Sequence, residues 1–161
     1  MRIKMLLVAT AWLSLAVAAR AAEVGGSFKV GDRVLTPAHA TALKLRDQSA
    51  PRTFETYVVL SEKPIDLDAA LAALDPYSKI INDEALRTGG TVRISIAADG
   101  AVSTNSQLDW DGTQFIDSTK MGGLEVKIEA NDGQRVAGRV WYAKPIEQDG
   151  QSRILDVTFD T

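Results

Sequence analysis

The sequence predicts a mainly β protein, an antiparallel immunoglobulin-like β-sandwich with a short helical crossover around residues 66–87. Three observations predict it. Apolar and polar residues alternate through much of the chain, as they must on strands that bury one face. Turn signals separate these runs at the spacing of short sandwich strands. One central segment, IDLDAALAALDPYSKIINDEALRTGG, instead carries leucines at helical spacing.

The first segment is expected to lie outside the fold. The chain opens MRIKMLLVATAWLSLAVAARAAEVGG, with Arg2 and Lys4 ahead of an uncharged apolar run from Met5 to Ala19. That is the layout of a secretory signal peptide, and Ala19-Arg20-Ala21 fits small-residue cleavage before Ala22. Residues 1–21 are therefore expected to be removed, leaving 22–161 as a single domain, with export to the periplasm or the medium. The apolar run falls short of the roughly 20 residues a membrane span needs, and no later segment approaches that length.

Strands are then expected at Ser27–Val30, His39–Leu45 and Thr53–Leu60. In the crossover, Leu67, Leu71 and Leu74 form the apolar stripe and Asp66 is the candidate N-cap. Asp75-Pro76 can cap and start a second short helix, which Gly89 or Gly90 would end. The crossover is expected to cover an open edge or end of the sandwich. TVRISIA places Val92, Ile94 and Ile96 on one face, and the Asp99-Gly100 turn sends the chain back through AVSTNSQLDW. LEVKIEA points Leu124, Val126 and Ile128 inward, and NDGQ turns it into RVAGRVWYAK. Leu155, Val157 and Phe159 share a face of the last strand. None of the five prolines interrupts a proposed strand, which suits a residue that cannot donate to a ladder. Eight or nine strands result.

Composition narrows the chemistry. There is no cysteine, hence no disulfide, thiolate nucleophile or lipid-attachment thiol. The leader holds Arg2, Lys4 and Arg20 and no acid, so residues 22–161 carry fifteen basic against twenty-one acidic side chains, a net charge of −6. An acidic chain is a poor match for nucleic-acid phosphates or an anionic membrane surface. The single histidine, His39, excludes any site of two imidazoles. No serine lies in a Gly-x-Ser-x-Gly elbow and no lysine has a serine three residues before it. Phosphate-binding glycine loops are absent as well. In LDWDGTQFID, Asp109, Asp111 and Asp117 suggest a calcium loop. Counted from Asp109, however, position six is Gln114 and position twelve Lys120, where glycine and glutamate belong. No metal or cofactor is expected. A carboxylate pair could serve a small hydrolase, but with twenty-one acids the sequence selects none.

A binding surface is easier to place. In RVAGRVWYAK, Val136, Val140 and Tyr142 share the core parity with Gly138, which turns Arg139 and Trp141 outward together. Trp110 has the parity of Val102 and Leu108 and is expected inside. An outward indole beside an arginine can stack on a sugar ring or anchor a protein partner. The competing expectation is that Trp141 lies under the crossover or a loop.

The order of features, TPAHATALKL, TYVVLSEKPID, a helical insert, TVRISIAADGAV, QRVAGRVWYAKP and a terminal LDVTFDT, resembles a loose group of bacterial exported β-sandwich proteins. The likeness implies fold and export, and brings no catalytic residues. The expectation is a non-enzymatic binding or interaction protein of the cell envelope, with Arg139 and Trp141 meeting an envelope polymer or another exported protein. Two alternatives differ in kind. An inhibitor or immunity protein would present Asp109, Asp111 and Asp117 as an acidic loop, and a hydrolase would use two carboxylates. Nothing in the sequence selects an oligomeric state.

Overall fold

A computed structural model describes residues 22–46, 53–83, 86, 88–109, 112–148 and 150–161. The expected leader, and Trp110 and Asp111, lie outside these residues. Among the described residues are eleven strands and two helices: β1 (Glu23–Val30), β2 (Arg33–Leu35), β3 (His39–Arg46), β4 (Phe54–Ser61), α1 (Leu67–Leu71), α2 (Pro76–Ile81), β5 (Thr91–Ile96), β6 (Val102–Gln107), β7 (Phe115–Ser118), β8 (Leu124–Asn131), β9 (Val136–Tyr142), β10 (Ile146–Gln148) and β11 (Gln151–Asp160). All pairings are antiparallel. The mainly β, two-sheet architecture is the expected one. The strands that alternation did not reveal are short: β2 and β10 have three residues each and β7 has four.

One sheet runs β2-β1-β11-β9-β8, with β10 paired to β11, and the other runs β3-β4-β5-β6-β7 in chain order. The second sheet is thus an up-and-down meander inserted between two strands and four strands of the first. Glycines with positive φ make tight returns possible in both sheets: Gly100 (φ 82°) closes β5 to β6 in the second, and Gly133 (φ 87°) closes β8 to β9 in the first. At the second return the Asp132 carboxylate accepts from the backbone N–H of Gln134 and of Arg135, each at 2.9 Å.

The core lies between the sheets. Phe28, Leu155, Val157, Phe159, Val140 and Tyr142 of the first sheet meet Val58, Leu60, Val92, Ile94, Ile96 and Val102 of the second. The inward sets read from TVRISIA and from the last strand are all present. The ring of Phe28 meets that of Phe115 edge-on at 5.7 Å between centroids, joining β1 to β7 across the layers.

The helices form where the caps predict. The side chain of Asp66 accepts from the Ala69 N–H at 2.9 Å, and that of Asp75 accepts from the Ser78 N–H at 3.1 Å, with Pro76 in the first turn. Three details differ from expectation. α2 ends at Ile81 with Asn82 as its cap, not at Gly89 or Gly90. Gly90 is needed for another reason: a Cβ there would meet the Leu35 side chain at 2.8 Å. The crossover also covers a face and not an edge. Ala70, Ile80 and Leu86 pack on Leu43 of β3 and Val59 of β4, on the outer side of the meander sheet. Finally, Leu71 and Leu74 are exposed while Ala70 is buried. α1 is only five residues long, so the leucine spacing is not carried on one continuous helix and Leu74 falls beyond its end.

A candidate binding face on the outer side of one sheet

Arg139 and Trp141 do point outward together. On β9, Val136, Gly138, Val140 and Tyr142 are buried, and on the other parity Ala137 is buried too, Arg139 is exposed and Trp141 is partly buried. The pairing register then decides their neighbours. Trp141 lies opposite Asp156 of β11 on one side and Glu125 of β8 on the other, and Arg139 lies between Thr158 and Lys127. The crossover packs on the other sheet and does not cover Trp141.

The arginine is fixed on two sides. Its Nε and terminal nitrogen donate to the two carboxylate oxygens of Asp156 at 2.8 and 2.7 Å, a bidentate fork. The guanidinium carbon sits 4.8 Å from the Trp141 ring centroid, within cation–π range. Hydrogen bonding from Arg139 holds the Asp156 carboxyl below the usual carboxylate range, and the same bonds raise the Arg139 pKa. One turn of the ladder away, Arg135 makes a second fork to Asp160 at 2.7 and 2.8 Å. A groove of about 420 Å³ begins beside Arg139 and is lined by Lys127, Glu129, Thr158, Asp160 and Glu23. Arg139 therefore links one aromatic ring to donors and acceptors of both signs, on a sheet face that neither described helix covers.

The acids singled out in the sequence do not act as one set. Asp109 is ion-paired with Arg33 of β2. Asp111 lies outside the described residues. Asp117 is not on a presented loop but on β7, turned between the sheets. There it accepts from the Tyr142 hydroxyl at 2.6 Å and from Arg153 at 3.2 Å, with the Arg153 guanidinium 4.8 Å from the Phe115 ring centroid. Burial first, and the Asp117 hydrogen bond second, push the Tyr142 hydroxyl far up in pKa. Among the described residues there is no group of three or more His, Cys, Asp or Glu arranged to hold a metal ion.

His39 faces Ser61 directly across β3 and β4. Ser61 is buried and its hydroxyl donates to the Lys63 carbonyl at 2.7 Å, so that proton is already engaged. No helix among the described residues is long and apolar enough to cross a membrane.

Sequence reasoning missed Asp156 and the groove beside it. The signal was half present: with Leu155, Val157 and Phe159 inward, Asp156, Thr158 and Asp160 must face out. Which strand they lie beside is a property of the sheet order, which alternation does not encode. It also missed a smaller recess of about 180 Å³ on the outer side of the meander sheet, lined by Tyr57, Arg93, Ser95, Ser103, Asn105 and Ile116. Comparison with protein-family models, with curated proteins and with solved structures gives no match. The fold and the face define a two-layer antiparallel β protein with a polar, aromatic-bearing outer sheet. Its functional reading rests on these residues.

Proposed function

We propose that the protein is an exported, non-enzymatic binding protein of the bacterial cell envelope that takes an envelope glycan on the outer face of β8, β9 and β11. One observation carries this reading: Trp141 is held under Arg139, itself forked to Asp156, on a sheet face that the crossover leaves open. A fixed ring costs little entropy to use, and apolar ring faces of sugars pack on aromatic side chains. The adjoining groove supplies carboxylates, the Lys127 amine and the Thr158 hydroxyl, the mixed donors and acceptors that sugar hydroxyls pair with. The acidic-loop reading of an inhibitor or immunity protein draws less support, because Asp117 is turned inside and Asp109 is paired. The hydrolase reading gains no favoured carboxylate pair.

Co-sedimentation with purified cell-wall material tests this at low and high salt. Retention of wild type that survives salt and is lost in Trp141→Ala supports the platform. Retention unchanged in that variant, or absent in wild type, overturns it.

A further inference from the structure

We propose that a second copy of this chain pairs with the first along β8, antiparallel and centred on Val126. β8 ends its sheet, and no described strand lies beyond it. The backbone parity is fixed by the ladder. Ala143 N–H donates to the Gly123 carbonyl at 3.2 Å, and these residues stand opposite one another in the register that pairs Leu124 with Tyr142. Bonded and non-bonded pairs alternate along an antiparallel ladder, so Glu125 and Lys127 turn their backbone groups toward β9. Leu124, Val126 and Ile128 therefore aim theirs at the open side. The far side of β9 agrees: Val136 and Thr161 exchange both backbone bonds, at 2.8 and 2.9 Å, so the even-numbered residues of β9 serve β11.

Charge then selects the register. Centring on Val126 sets Glu125 opposite the partner's Lys127, twice by symmetry, in non-bonded positions where side chains are closest. Centring on Glu125 or on Lys127 sets like charges opposite each other. Centring on Ile128 runs the pairing into the bulge between Ile128 and Ala130. The bulge and the edge lysine are devices that ordinarily block edge pairing. Here the bulge lies just past the paired stretch, and Lys127, which pairs with Glu129 of its own chain at 2.9 Å, is set opposite a second carboxylate across the edge. On the inner side, Val126 and Ile128 are partly buried and packed against the core, and pairing extends that apolar floor into the partner.

The two-fold axis of such a pair is perpendicular to the sheet, so the same outer face continues across both copies. It sets the two Trp141 residues about 16 Å apart by ordinary strand spacing and rise, on one surface. That spacing would let one polymer strand engage both copies, a consequence that rests on the glycan reading while the pairing itself does not.

The test is the solution mass of the purified protein by sedimentation equilibrium, without glycan, over a concentration series. Wild type is expected to dimerise, Lys127→Glu to weaken the dimer by about tenfold or more, and Glu125→Lys with Lys127→Glu to restore it. Circular dichroism establishes that each variant is folded. A monomeric wild type, a Lys127→Glu variant that dimerises as tightly, or a folded double variant that fails to recover would overturn the pairing. The glycan face is tested separately by Trp141→Ala.

Discussion

Asp117 shows what a single residue contributes. Its carboxylate and the Arg153 guanidinium are 14% and 6% exposed, with the Tyr142 hydroxyl on the same carboxylate oxygen. Two opposite charges taken out of water are tolerated only as a pair. Asp117→Asn keeps the shape and leaves Arg153 without its anion, and is expected to cost about 3–5 kcal/mol, read from the urea midpoint at unchanged slope. Asp156 behaves differently because its fork to Arg139 is at the surface, both side chains being 48% exposed. Its pKa in the folded chain is lowered chiefly by the Arg139 hydrogen bond, so the pair's contribution is complete above the ordinary carboxylate value and disappears as pH falls through the lowered one. An NMR titration of the Asp156 carboxyl carbon is expected to show a midpoint below that of a free aspartate, moving up toward it in Arg139→Met. Asp117 was visible in the sequence as a candidate acid, and Asp156 only as an outward parity on the last strand. Their opposite roles were not, although Arg153 on the parity of Leu155 and Val157 was a charged residue on a core face and marked where to look.

At the scale of elements, alternation and capping account for most of what forms. Strands of six to ten residues with clean alternation, β5, β8, β9 and β11, were legible because each buries one face, and the caps at Asp66 and Asp75 were legible because they are local hydrogen bonds. β7 was missed because four residues, with Asp117 at a core position, carry too little periodicity. The crossover was misplaced for a different reason. Its docking surface, Leu43 and Val59, belongs to β3 and β4, whose outward apolar residues look unremarkable until the helices are seen to cover them. Ile80 is 3% exposed at that contact. Ile80→Ala is expected to cost about 2–4 kcal/mol. Hydrogen exchange should locate the loss in α2 and the outer side of β3 and β4, with β9 and β11 still protected.

For the whole molecule, the two sheets divide the labour. The meander sheet spends part of its outer face holding the crossover, whereas neither described helix packs over Trp141, Arg139 and Asp156 on β9 and β11 of the other. That division was not readable from the sequence. Strand parity could turn Trp141 outward, but only the sheet order shows that the helices lie on the opposite layer and that Asp156, fifteen positions along the chain, is the residue beside it. This outer face is the proposed place where ligand is taken. Its most direct test is chemical-shift mapping of the nitrogen-15-labelled protein with solubilised cell-wall glycan. Shifts are expected at the Trp141 indole N–H, the Arg139 Nε–H and the amides of β8, β9 and β11, with the crossover unmoved. Shifts centred on the crossover or on the Tyr57 and Arg93 recess, or a spectrum indifferent to the glycan, would contradict it.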